Sequence, residues 1–189
     1  GLEGFNEGTT YNAYSLFASI DKIFNDTHSL SFTSIFTPNR RGKSSPNTQE
    51  VFDLKGIAYN EYWGNLNNRK TNSRIKEVEE PILMLNHYWN WSKSTTLQTN
   101  IAYQFGKIGN SRLDFNGGAN PSPTYYQTLP SYFLRNNDVA GAYESQQRFL
   151  NDGQLDWNRI YDANLTNRAA GLNNAYVLYE DRNDDKQLT

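Results

Sequence analysis

The sequence predicts an all-β chain: part of a large antiparallel transmembrane β-barrel with long extracellular loops that contain short helices. Three observations lead there. Apolar and polar residues alternate with period two over several stretches, as in strands whose two faces meet different surroundings. The connections between those stretches run short, long, short, long. No apolar run approaches the roughly 18 residues of a membrane-spanning helix; Ile82-Leu85, for example, is about four residues long. A membrane-spanning strand needs only alternate apolar residues.

The clearest strand is Leu97–Phe105. It carries Leu97, Thr99, Ile101, Tyr103 and Phe105 on one face and Gln98, Asn100, Ala102 and Gln104 on the other. Its length matches the roughly 9–11 residues that cross a bilayer at a tilt. Thr10–Ile20 reads as another strand, and Ser29–Phe36 sets Leu30, Phe32 and Phe36 against Ser29, Ser31 and Thr33. Pro81–Trp91 places Leu83, Leu85, Trp89 and Trp91 opposite Asn86 and Asn90. Glu77 and Glu79 share the apolar parity of that strand, so a bulge or the end of the apolar slab is expected near Pro81. A fifth strand begins near Ala175.

The turns are short near residues 25–28 and 92–95, and the connections are long over about 38–74 and 106–174. Structureless connections above about 15 residues are uncommon in compact domains. A chain that crosses a slab repeatedly, turning tightly on one side and elaborating on the other, explains the rhythm. A soluble antiparallel sandwich also alternates and carries loops. Trp89, Trp91, Tyr88 and Tyr103 near strand ends suit an aromatic girdle, and suit a sandwich core as well. Within the second long span, Val139–Leu150 reads as a helix with Asp138 as N-cap and Gly153 near its end, and Leu155–Asn164 as another.

Composition narrows the function classes. Lys and Arg number 18 against 20 Asp and Glu, so no basic excess points to nucleic acid. With no cysteine, thiolate metal sites and cysteine nucleophiles are excluded. The two histidines, His28 and His87, lack ligand spacing, and neither a metal nor another cofactor is expected. Glu77 and Glu79 could pair as carboxylates, but a solvated strand end beside Arg74 and Lys76 is the simpler reading, so an enzyme is not expected. Asp181–Asp185 imitates the start of a calcium loop, with Lys186 where its glycine should be. The candidate ligand-binding residues are therefore those of the long loops: Arg40, Arg41, Tyr62, Trp63, Tyr125, Tyr126, Tyr132 and Arg135. Arg forks suit anionic groups such as lipopolysaccharide phosphates, and Tyr and Trp offer rigid faces with a polar handle.

An ordered set of segments carries a resemblance. Gly4-Phe-Asn-Glu-Gly-Thr-Thr-Tyr11, Tyr14-Ser-Leu-Phe-Ala-Ser-Ile-Asp-Lys22 and Asn25-Asp-Thr-His-Ser-Leu-Ser-Phe-Thr33 open it. Pro38-Asn-Arg-Arg-Gly42, Tyr59-Asn-Glu-Tyr-Trp-Gly64, Glu79–Trp89, Asn100–Gly106 and Ala175–Asp185 continue it. The chain resembles the barrel region of TonB-dependent outer-membrane receptors of the Bacteroidota type, which carry an N-terminal carboxypeptidase-like domain. The resemblance implies a 22-stranded barrel closed by a plug, a location in the bacterial outer membrane, and nutrient import driven through TonB. Neither plug nor TonB box matches residues 1–189, so the chain is expected to be a section of a longer one. The expected partners are outer-membrane lipid and lipopolysaccharide, TonB through the plug, and a surface lipoprotein or other envelope complex on the loops. The alternative is a secreted or surface β-rich glycan-binding or adhesion domain.

Overall fold

The computed structural model of the chain describes residues 2–115, 118–181 and 187–188. In chain order the strands begin with β1 (Leu2–Glu3), β2 (Thr10–Ala13), β3 (Leu16–Ile23), β4 (His28–Phe36) and β5 (Asn39–Gly42). Helix α1 (Gln49–Lys55) follows, then β6 (Trp63–Leu66), β7 (Arg69–Asn72), β8 (Ile75–Glu79), β9 (Ile82–Ser92), β10 (Thr95–Gln104) and β11 (Lys107–Phe115). A 3-10 turn at Tyr126–Thr128 leads into α2 (Pro130–Arg135), α3 (Val139–Asp152) and α4 (Trp157–Ala169). Strands β12 (Tyr176–Asp181) and β13 (Gln187–Leu188) complete the order. The chain is mostly β-sheet with a few short helices. Among the described residues no helix is long and apolar enough to cross a membrane.

The chain divides into two compact units: Gly1–Tyr11, Arg41–Lys76 and Gly109–Thr189 in the first, Asn12–Arg40 and Glu77–Ile108 in the second. The second holds an antiparallel sheet in the order β10-β9-β4-β3. Its two hairpin turns fall where the sequence places them. Asn25 fixes the first, its Oδ1 accepting from Thr27 N (3.0 Å), Thr27 Oγ1 (2.8 Å) and His28 N (2.9 Å). Asparagine is suited to this because its side chain mimics a backbone turn. The expected single strand Thr10–Ile20 is instead two, β2 and β3, interrupted at Tyr14 and Ser15. Tyr14 N there donates to Pro38 O, 3.3 Å away.

Register sorts this sheet into two faces. Ile20, Phe32, Leu85 and Ile101 lie in one cross-strand row, and Ala18, Ser34, Leu83 and Tyr103 in a parallel one. At the hairpin end of the same face His28, Trp89 and Leu97 align, and Trp91 stacks on Trp89 with centroids 4.7 Å apart. At the opposite end Tyr103 stacks on Phe105 at 5.3 Å, and Tyr14 meets Phe36 edge-on at 6.2 Å. The Trp89 and Tyr103 rows are six residues apart along the strands, or roughly 20 Å at about 3.3 Å per residue. The other face carries Asp21, Ser31, Asn86 and Asn100 in one row and Ser19, Thr33, Met84 and Ala102 in another, with Ser19 and Thr33 hydroxyls 3.2 Å apart. That face also carries the apolar Phe17, Ile35 and Ile82 at one end and Ile23 and Tyr88 at the hairpin end.

The remaining sheet strands order as β1-β2-β5-β8-β11-β12-β13, beside a separate β6–β7 hairpin. Asn67 and Asn68 turn that hairpin at φ of 50° and 60°. Such left-handed pairs match strand twist, and Asn tolerates them better than most residues. The first unit has two apolar cores. Leu155, Trp157, Ile160, Ala175 and Tyr176 form one; Val51, Tyr59, Leu129 and Phe149 form the other. Helix α3 starts as read from sequence, with Asp138 accepting from Gly141 N. Helix α4 starts at Trp157 rather than Leu155 and runs on to Ala169, because Asp156 caps it by accepting from Arg159 N. The spans expected as loops are thus not structureless: residues 38–74 contain β5, α1, β6 and β7, and residues 106–174 contain β11 and α2–α4.

Candidate functional site

The first unit carries a groove of about 690 Å³ between α1 and the Tyr126–Arg135 segment. Gln49, Glu50 and Asp53 line one wall, and Tyr126, Tyr132 and Arg135 the other. Helix α1 forms here because Thr48 caps it, its hydroxyl accepting from Val51 N, and Gly56 ends it at φ 84°. Pro130 at the first position of α2 sets the following turn. Glu50 ties the two walls, its carboxylate accepting from Ser131 N (2.8 Å) and Ser131 Oγ (2.7 Å). Glu50→Ala is expected to lower stability by about 1.5 kcal/mol, the usual worth of hydrogen bonds to a charged group. An unchanged urea midpoint would remove Glu50 from that role.

Aromatic rings run beside the groove in edge-to-face contacts. Tyr125 meets Tyr126 at 5.0 Å, Tyr126 meets Tyr132 at 5.9 Å, and Tyr132 meets Phe133 at 5.6 Å. Such contacts hold rings in fixed orientation. Loss of solvent, and then Tyr126, push the Tyr125 phenol above its usual range. Tyr126 is 58% exposed, leaving much of its ring available. The groove can thus offer aromatic surface, an Arg fork and amide or carboxylate acceptors to one ligand.

The structure brings Tyr126, Tyr132 and Arg135 to this groove, with Tyr125 adjoining Tyr126. The other expected residues lie elsewhere. Arg40 is held by Glu77, with Nε 2.6 Å from the carboxylate. Arg41 is exposed. Tyr62 lies under the Arg74 guanidinium at 5.3 Å. Trp63 is 8% exposed, with the Lys70 ammonium 5.0 Å from its ring centroid, so its indole serves packing. No family model, curated protein or solved structure matches this chain.

Glu77 and Glu79, read as a possible carboxylate pair, each meet a cation: Arg40 for Glu77, and Lys107 at 3.8 Å for Glu79. Sequence reasoning missed that His28 and His87 meet. Their Nδ1 and Nε2 atoms are 3.0 Å apart, and the His28 ring stacks on Trp89 at 5.2 Å. Only strand register could have found this pair, since 59 residues separate them. Gln49 and Asp53 were missed too, their one-turn helical spacing being the available signal. Of the calcium-like run, Arg182–Asp185 and the following Lys186 lie outside the described residues.

Proposed function

We propose that the chain is a barrel-and-loop section of an outer-membrane TonB-dependent receptor that imports a nutrient ligand. The two-faced sheet β10-β9-β4-β3 carries this reading. Its strands are 8 to 11 residues long, near the span of a tilted bilayer crossing. One face has a band made of the apolar row Ile20, Phe32, Leu85 and Ile101 and the mixed row Lys22, Leu30, His87 and Thr99. It lies between Trp89 and Tyr103 positions roughly 20 Å apart, close to the roughly 25 Å band of outer-membrane barrels. That band is solvent-exposed, with Ile20 at 69% and Ile101 at 61%, which suits lipid better than water. The outer strands β3 and β10 each have one edge unpaired within this four-stranded sheet, and such long edges need neighbouring strands. Tyr126, Tyr132 and Arg135 are the ligand-binding residues in this reading. A surface glycan-binding or adhesion domain is the second reading, favoured by the same aromatic groove.

The cysteine-free sequence makes a direct test simple. Nitroxide labels on single cysteines at Ile20, Leu85 and Ile101, in the full protein in bilayers, should relax with lipid-dissolved oxygen. Labels at Ser31, Asn86 and Asn100 should relax instead with a water-soluble nickel chelate. Equal water exposure of both sets would sink the membrane reading. A monodisperse monomer without detergent would favour the adhesion domain.

A further inference from the structure

We propose that Arg41, Lys43, Arg74 and Lys76 bind the phosphate group of a ligand. The inference is independent of the import reading. The Lys43 backbone N–H donates to Arg74 O at 2.8 Å, making these two residues close neighbours just past the ends of the adjacent strands β5 and β8. Extended-chain alternation puts Arg41 on the side of Lys43, and Lys76 on the side of Arg74. Lys43, Arg74 and Lys76 are each half-buried. The Lys43 backbone is fixed from behind, its carbonyl accepting from Asn60 Nδ2 (3.1 Å) and Asn72 Nδ2 (2.9 Å). Arg74 rests on the Tyr62 ring.

Four cations gathered this way repel one another. Among the described residues no carboxylate oxygen comes within 4.0 Å of any of them. Among the described residues, the Lys43 ammonium hydrogen-bonds the neutral Asn110 Oδ1, at 2.7 Å. Burial first, then Lys76, Arg74 and Arg41, hold that ammonium below its usual range. A dianionic phosphate relieves the repulsion with one group. Its oxygens suit an Arg fork while ammonium groups act as point charges. A single carboxylate supplies half the charge and fewer acceptors. Both a lipid headgroup and a soluble phosphate ester present this chemistry.

The test uses the full chain. Glycerol phosphate is titrated by calorimetry, and co-sedimentation is measured with phosphatidylcholine vesicles with and without lipid A. Binding to glycerol phosphate alone marks a soluble ester; preference for lipid A vesicles marks a headgroup; either supports the site. The double variant Lys43→Gln/Lys76→Gln should weaken the observed binding about tenfold or more, as loss of charge-assisted contacts does. Lys93→Gln, in the β9–β10 turn, should leave it unchanged. If the double variant fails to fold, Lys76→Gln alone must still weaken binding severalfold. No saturable binding of either probe overturns the proposal, as does equal affinity in wild type and the Lys76→Gln variant.

Discussion

Asn60→Ala is expected to lower stability by about 4 kcal/mol, because four hydrogen bonds end on one buried amide. Asn60 is 0% exposed. Its Oδ1 accepts from the backbone N–H groups of Ser45 and Tyr62, both at 3.1 Å. Its Nδ2 donates to the carbonyls of Glu7 (2.8 Å) and Lys43 (3.1 Å). One side chain thus joins three chain segments of the first unit, and all of its hydrogen-bonding capacity is used. Alanine would leave those backbone groups without partners. Asn60→Asp keeps the acceptor but loses both donations and buries a charge, so it should be no better tolerated. Chemical denaturation of both variants checks this; a loss below about 1 kcal/mol in Asn60→Ala would mean that water replaces the amide.

In the barrel proposed above, Leu85→Lys should prevent membrane insertion, at a cost of about 2–4 kcal/mol for a charge near the lipid midplane. Leu85 lies between Phe32 and Ile101 in the apolar row. The adjacent Asn86→Lys places the same charge on the opposite face, between Ser31 and Asn100, and should insert normally. The inserted fraction of each, read from a folding-dependent gel shift in bilayers, separates the two faces. Equal insertion of both variants would contradict a lipid-facing band.

Much of the sheet was legible in the chain because period two is a local signal. The strands around Phe32, Leu85 and Ile101, both tight turns, and the helix capped by Asp138 were all readable before any tertiary contact. Strands β5, β6, β7, β8 and β11 were harder. They are short, or carry charged residues on both parities, as in Asn39-Arg-Arg-Gly42 and Ile75-Lys-Glu-Val-Glu79. Such sequences form strands only when long-range partners supply the hydrogen bonds. The candidate groove was half legible. Its tyrosines and Arg135 stood out as types, but Glu50, Gln49 and Asp53 belong to a seven-residue helix too short for a clear periodic signal.

The sequence by itself determined the alternation, the hairpin turns and the start of α3, since side-chain parity, Asx turns and caps act within a few residues. Tertiary structure alone decided the rest. It buried Trp63 while leaving Tyr126 exposed, though both looked alike as loop aromatics. It paired His28 with His87, saturated Asn60, and gathered Arg74 and Lys76 beside Arg41 and Lys43. Each of these depends on which distant segments lie side by side. That choice is made by strand register and core packing over the whole chain, and no local pattern encodes it.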